Sequence, residues 1–420
     1  MKLAFFGYAW NRTLQPDAYL TETVASLAEA GADVDIYLGS QLSKEYGIYG
    51  VNGAVDLDRL AEFMAVEAYD GAISFNNSML VPQVQAAIPG PVATVLVDEP
   101  EHLFDYLGNG AYEVLRQDLQ IVAMSSALER RLIAAIPDVQ RRLHFMLPAT
   151  RNEPGEATAV YPISWVASFV GDLNLDQYLG LMVERPDFYA LTQRCLALLE
   201  REGSLARITA EAGMDAALIA SLPWKFDYFQ AQMLNILTNR RRVEIVERLA
   251  PHGLALFGNA NWQKLLTYDA GVLAALQPGP RPETHADLRR IYNSSKISIN
   301  APQAHISEGA VQYRVIDVMA SNALMITQHS ETSDLYRVFG PDCPVPTYST
   351  LDELEALCLR YLGDDAERRR LVAECNRLVA TGFSFAERAR TLLGILGFAP
   401  GPAAGKVRKM DLRLFMAGQS

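Results

Sequence analysis

Long apolar runs are missing from this sequence. Nowhere does it hold the roughly 20 consecutive apolar residues that a membrane helix requires. The opening MKLAFFGYAWN is interrupted too soon for a secretory leader and reads as a buried first strand. Cysteine is scarce. The four present, Cys195, Cys343, Cys358 and Cys375, show neither CxxC pairing nor zinc-ligand spacing with histidine, which excludes a disulfide scaffold and a zinc module. They read as reduced thiols packed on apolar faces, in a cytoplasmic protein. Positive charge is also short: 37 Lys and Arg against 49 Asp and Glu leave a net charge of −12. That excludes a general nucleic-acid binder, because phosphate backbones demand a basic surface. GYAWNRT (7–13) lacks the GxGxxG spacing of a dinucleotide site, which argues against an NAD enzyme. No internal repeat or low-complexity block stands out.

What is present is a strand–helix alternation over 420 residues, half of them hydrophobic, enough for two domains. KLAFFGY (2–8), the amphipathic helix TETVASLAEAGA (21–32) and DVDIYLG (33–39) form a βαβ opening. Strands follow at GAISFN (71–76), PVATVLVDEP (91–100), QIVAMSS (120–126) and RRLHFMLPAT (141–150). This pattern predicts a doubly wound parallel sheet with ligands at the carboxyl ends of its strands. After the polar linker RNEPGEATAVYP (151–162) the pattern restarts at SWVASFVGD (164–172), GLALFGNANW (253–262), SSKISINAP (294–302), NALMIT (322–327) and CPVPTY (343–348). The domains therefore divide as 1–155 and 156–397, with a helical insertion near 176–250 and a linker and tail at 398–420. Thr350 with Glu353, and Ser384 with Glu387, have capping-box spacing. The basic run Arg240–Arg242 reads as a solvated helix face, and KVRKMDLRLFM as a basic amphipathic tail that packs back across the domains or touches anionic lipid.

The stretch EGAVQYRVIDVMASNALMIT (308–327) carries the chemistry. Tyr313, Arg314 and Asp317 interrupt an otherwise apolar helix at spacings that share one face. The loop before it lies at a strand's carboxyl end, where backbone N–H groups attract an anion and Gly309 admits a ligand closely. Arg314 can grip phosphate bidentately, and Asp317 suits vicinal hydroxyls such as those of ribose. The alternative is an ordinary Arg314–Asp317 ion pair along the helix.

The segment IYNSSKISINAPQAHISEGAVQYRVIDVMASNALMIT, followed by SDLYRVF, TLDELEALCLRYL and TGFSFAERARTLL, resembles the C-terminal half of group 1 GT-B glycosyltransferases, and most of all the spore-maturation-protein-like branch. The resemblance implies two Rossmann-like domains facing across a cleft, with a nucleotide-diphosphate sugar, commonly a UDP-sugar, on the second domain and a hydroxyl acceptor on the first. Arg314 falls on that family's arginine and Asp317 on its acidic residue, with Glu308 near the first member of the superfamily's paired-glutamate motif. Gly171 and Asp172 would face the phosphates, and Phe257, Gly258 and Asn259 the base. His305 would reach the donor's phosphate or sugar.

DEPEH (98–102) ends a first-domain strand, and an inverting transfer needs a base near the acceptor hydroxyl; Asp98 and His102 are the candidates. DVD (33–35) and DLD (56–58) are short enough to recur by chance, so no metal is assigned and no cofactor is expected beyond the nucleotide sugar. The expected acceptor is a glycan, a lipid-linked glycan or a protein. Two rivals remain: a sugar-nucleotide epimerase of the same fold, and a non-catalytic nucleotide-sugar binder.

Overall fold

The computed structural model describes residues 1–9, 16–39, 47–48, 51–76, 78, 82–97, 118–136, 138–170, 173–202, 217–218, 221, 226–266, 269–279, 281–302 and 309–416. The first domain runs β1 (Lys2–Tyr8), α1 (Ala18–Glu29), β2 (Asp33–Gly39), the small hairpin β3 (Gly47–Ile48) and β4 (Val51–Ala54), α2 (Leu57–Glu67), β5 (Gly71–Phe75), α3 (Pro82–Ala86), β6 (Val92–Leu96), β7 (Gln120–Ala123), α4 (Ser126–Ala135) and β8 (Leu143–Phe145). The strands of its main sheet are short and buried on both faces, the pattern of a parallel sheet covered by helices.

The second domain runs β9 (Tyr161–Val166), α5 (Leu173–Glu184), α6 (Pro186–Glu202), α7 (Phe226–Leu249), β10 (Leu254–Phe257), α8 (Ala270–Ala275), α9 (His285–Asn293), β11 (Ser295–Asn300), α10 (Tyr313–Met319), β12 (Leu324–Gln328), α11 (Asp334–Phe339), β13 (Thr347–Tyr348), α12 (Leu351–Gly363) and α13 (Asp365–Val379). Its five strands pair in parallel in the order β10-β9-β11-β12-β13. The helical insertion expected near 176–250 is α5, α6 and the first half of α7, with a core of Phe188, Leu191, Cys195, Leu199, Met233, Leu234 and Leu237. The second half of α7 belongs to the sheet, where Ile245, Val246 and Leu249 pack with Trp165 and Leu256.

The chain then returns to the first domain. Helix α14 (Phe385–Ile395) places Ala389, Leu392 and Leu393 in one cluster with Leu20, Val24 and Leu27 of α1. Strand β14 (Val407–Met410) pairs in parallel with β2, giving a seven-stranded order β14-β2-β1-β5-β6-β7-β8. Arg408 forks onto the buried carboxylate of Asp35 (Nε to Oδ1, 2.8 Å), which also accepts from the Tyr69 hydroxyl at 2.6 Å. Met410, Leu412, Phe415 and Met416 are buried in the first domain's core. Four of the tail's apolar side chains are thus committed to the first domain, while Val407 and Leu414 stay exposed. Between α14 and β14 the chain straps across the end of α1: Gly401 N–H donates to Ala30 O, and a Cβ on Gly401 would meet Gly31 Cα at 3.1 Å.

Ser384 and Glu387 form the full capping box of α14. Thr350 caps α12, but the Glu353 carboxylate reaches past it to Ser349 N–H at 2.7 Å. Among the described residues no helix is long and apolar enough to cross a membrane.

Candidate functional site

The carboxyl ends of the two parallel sheets face one another, as the contacts between their following segments require. Tyr19, in the first turn of α1, stacks on Tyr313 of α10 with ring centroids 3.8 Å apart. The Tyr313 hydroxyl donates to Met124 Sδ, just past β7, at 3.4 Å. The Asp334 carboxylate, in the first turn of α11, accepts Ser126 N–H at 3.0 Å and the Ser126 hydroxyl, capping α4 of the other domain. Arg337 lies over the Phe145 ring at 3.8 Å.

Three arginines gather on the second domain's side of this junction. Arg242 of α7 is 2% exposed; one of its terminal nitrogens donates to Ser168 O, and its Nε is buried with no hydrogen-bond partner. Arg314 of α10 has its Nη1 buried and unpartnered. Arg281, in the loop before α9, is reached by solvent, yet surrounding protein disfavours its charged form. Each feels the others. Burial first, then Arg314 and Arg281, push Arg242 down to about 9. Burial and Arg314 lower Arg281, against the opposing pull of Glu283 and Asp17. Among the described residues no carboxylate forms a salt bridge with any of the three. Buried like charges left unpaired are unfavourable, so the arrangement suits an incoming anion bearing several charges. Two linked phosphates are such an anion, and guanidinium forks match their oxygens.

Around the arginines lie further unpaired polar atoms. Gln312 Oε1, at the start of α10, and Asn300 Oδ1, at the carboxyl end of β11, are buried without partners. His285 is 9% exposed and neither ring nitrogen is bonded; its ring stands edge-on to Tyr19 at 4.9 Å and to Phe385 at 5.5 Å. Among the described residues no group of His, Cys, Asp and Glu is arranged to hold a metal ion.

Several expected roles change. Asp317 is wholly buried, with Oδ1 accepting from Thr150 at 2.6 Å and Oδ2 from the Tyr19 hydroxyl. Both oxygens are occupied, so it ties the domains together and is not open to ribose; neither does it pair with Arg314. Gly309 has φ +82°, and a Cβ there would lie 2.3 Å from Thr332 O, so what approaches it closely is the chain before α11. Tyr313 faces the first domain. Helix α10 spans only seven residues, two turns, and adds little dipole. Phe257 packs edge-to-face on Tyr161 at 5.3 Å, and a Cβ on Gly258 would lie 2.2 Å from Trp262 Cδ1. Asn259 spends its amide on Phe169, accepting its N–H at 2.8 Å and donating to its carbonyl at 3.0 Å. Phe257 and Gly258 pack within the turn and its neighbour, and the Asn259 amide is already engaged. Asp98, His102, Gly171, Asp172, His305 and Glu308 lie outside the described residues.

Arg242 and Arg281 escaped the sequence reading. Arg240 and Arg241 are exposed as expected, but Arg242 points inward. Asn239, Arg242, Val246 and Leu249 are all buried at spacings of three and four, a stripe that marks Arg242 as core-facing. Arg281, in a proline-flanked loop, had no comparable signal.

Residues 240–394, which contain all three arginines, match the family described as Glycosyl transferase-like. In architecture the chain is similar to a glycosyltransferase from Rickettsia africae ESF-5, with TM-score 0.53 at 12% identity over 94% of this chain and 97% of that one. It is similar also to the sucrose-phosphate synthase of Thermosynechococcus elongatus, with TM-score 0.55 at 12% identity over 94% and 99% of the two chains. HepE of Anabaena, solved in complex with UDP-glucose, superposes with TM-score 0.53 at 10% identity over 94% and 99%. No curated protein matches by sequence. The two facing parallel sheets are those of the GT-B fold.

Proposed function

We propose that this chain is a glycosyltransferase that moves a sugar from a nucleotide diphosphate to a hydroxyl acceptor across the junction of its two domains. One observation carries the reading: buried guanidinium nitrogens of Arg242 and Arg314, unpaired and mutually repelling, at the carboxyl edge of the second sheet. The family match over 240–394 supports it. So does HepE, a relative in fold that was solved with UDP-glucose.

As the glycosidic bond breaks, negative charge grows on the departing diphosphate. Arg242, buried and tied to Ser168 O, and Arg314, whose Nη1 is buried, stabilise that charge with little reorganisation, the usual origin of such rate enhancement. The guanidiniums supply the positive charge at the diphosphate, so the reading includes no metal. The donor is a UDP-sugar, with hexosyl transfer in glycan or protein glycosylation and kinship to the spore-maturation-protein-like branch. Asp98 and His102 are the proposed bases if the transfer inverts the anomeric centre.

The test is a thermal-shift panel of UDP-, GDP- and dTDP-sugars, followed by calorimetry and slow donor hydrolysis with the best binder. Arg314→Ala should weaken donor binding about 10- to 100-fold, the worth of a charge-assisted hydrogen bond. Unchanged affinity would overturn the assignment.

A further inference from the structure

Beyond Val166 the chain leaves β9 toward the junction, and there side chains take over from the sheet ladder. Ala167 O accepts from Trp262 Nε1 at 2.8 Å, and Ser168 O from Arg242. Phe169 N–H donates to Asn259 Oδ1 at 2.8 Å, while Asn259 Nδ2 at 3.0 Å and Asn261 Nδ2 at 3.2 Å donate to Phe169 O. Val170 N–H donates to Asn239 Oδ1 at 2.8 Å, and Asn239 Nδ2 donates back to Val170 O. A carboxamide offers one acceptor and one donor side by side, as a neighbouring peptide would. The two asparagines therefore act as substitute strand residues on a segment with no strand left to pair with. Arg242, whose Nε is buried without a partner, is bound to the same segment through Ser168 O.

We infer that Asn239 and Asn259 are positioning residues of the donor site: they fix the segment Ala167–Val170, and through it Arg242, before the diphosphate arrives. The inference rests on the donor site proposed above and extends it to two residues that touch no reacting atom. Strand-end loops ordinarily retain freedom that a ligand must quench on binding. Here the side-chain bonds from Asn239, Asn259 and Asn261 supply that ordering.

Replacing either amide by a carboxyl gives a specific test. In Asn259→Asp and Asn239→Asp, the carboxylate still accepts the N–H but sets a lone pair against the carbonyl oxygen to which the amide donated. The protonated acid donates to that carbonyl and restores the original pattern. Binding is measured by calorimetry between pH 8 and pH 4, using whichever of UDP-, GDP- or dTDP-glucose the wild type binds best. Each ligand is a diphosphate diester and keeps its charge across that range. At pH 8 each variant should bind about tenfold more weakly than wild type, the effect of one lost hydrogen bond and a repulsion. The gap should close as the pH falls. Asn259→Ala should stay weak throughout. If the Asp variants melt lower but bind like wild type at pH 8, the asparagines serve packing alone and the inference fails. If the wild type binds none of the three sugars, the inference and the donor site fall together.

Discussion

Arg242→Met should make the unliganded protein more stable than wild type and shrink the further stabilisation that donor binding brings. Burial and two like charges hold the Arg242 guanidinium at about 9, against an ordinary 12.5, although it keeps its charge at neutral pH. At about 1.4 kcal/mol per unit that displacement corresponds to roughly 5 kcal/mol of unfavourable burial. Methionine removes the charge and keeps the length, while Ser168 O loses a charge-assisted bond worth about 1.5–3 kcal/mol. The net gain is about 2–3.5 kcal/mol, or about 5–12 °C in melting temperature for a domain of this size. With a nucleotide sugar at a hundred times its Kd, wild type should gain about 2.7 kcal/mol. A variant binding about thirtyfold more weakly should gain under about 1 kcal/mol at the same concentration. Scanning fluorimetry with and without ligand reads both effects. A variant that melts below wild type without ligand, and shows the full ligand shift, would refute the reasoning and reduce Arg242 to a tie for Ser168. Such trades of stability for binding are expected where a site stores unpaired charge.

Two further outcomes follow from the junction and the tail. Burial raises the Asp317 carboxyl, with the Thr150 and Tyr19 hydroxyls pulling it back down. The cost of holding it charged is complete above its raised folded value and fades as pH drops from there toward the ordinary 3.8. The melting-temperature gap between Asp317→Asn and wild type should therefore narrow over that fall, and a gap independent of pH would contradict it. Ending the chain after Gly405 strips β14 together with Met410, Leu412, Phe415 and Met416 from the first domain's core. At about 2 kcal/mol per buried side chain this approaches the whole stability of a domain. The fragment should fail to fold, and a soluble product with a cooperative melt near that of the full chain would sink the prediction.

The sequence carried the fold well where period and composition agree. The strands KLAFFGY and DVDIYLG fall on β1 and β2 residue for residue, and the Ser384–Glu387 spacing marks the true start of α14. The destination of α14 was not legible, because an amphipathic helix states that it must cover something but not what. The same holds for the tail, read as packing back across the domains or touching lipid, whose Arg408 finds Asp35 on β2 and Glu67 on α2. At the site, Arg314 was found because it breaks an apolar run. Asp317 was found for the same reason and given the wrong role, because spacing shows that two side chains share a face, not which of them a neighbouring domain will claim. Arg242 was hidden by its company, since neighbours on a helix point about 100° apart and a run of three arginines cannot be one face.

The strand pairing of β14 with β2 has a consequence for synthesis. Asp35 and Arg408 stand 373 positions apart, so a nascent chain carries an incomplete first sheet while the ribosome makes nearly everything else. Until β14 emerges, β2 is a bare edge, open to mispairing with other chains. Assembly of the amino-terminal half is then a late event, and chaperone demand should be greatest during translation of the half that follows.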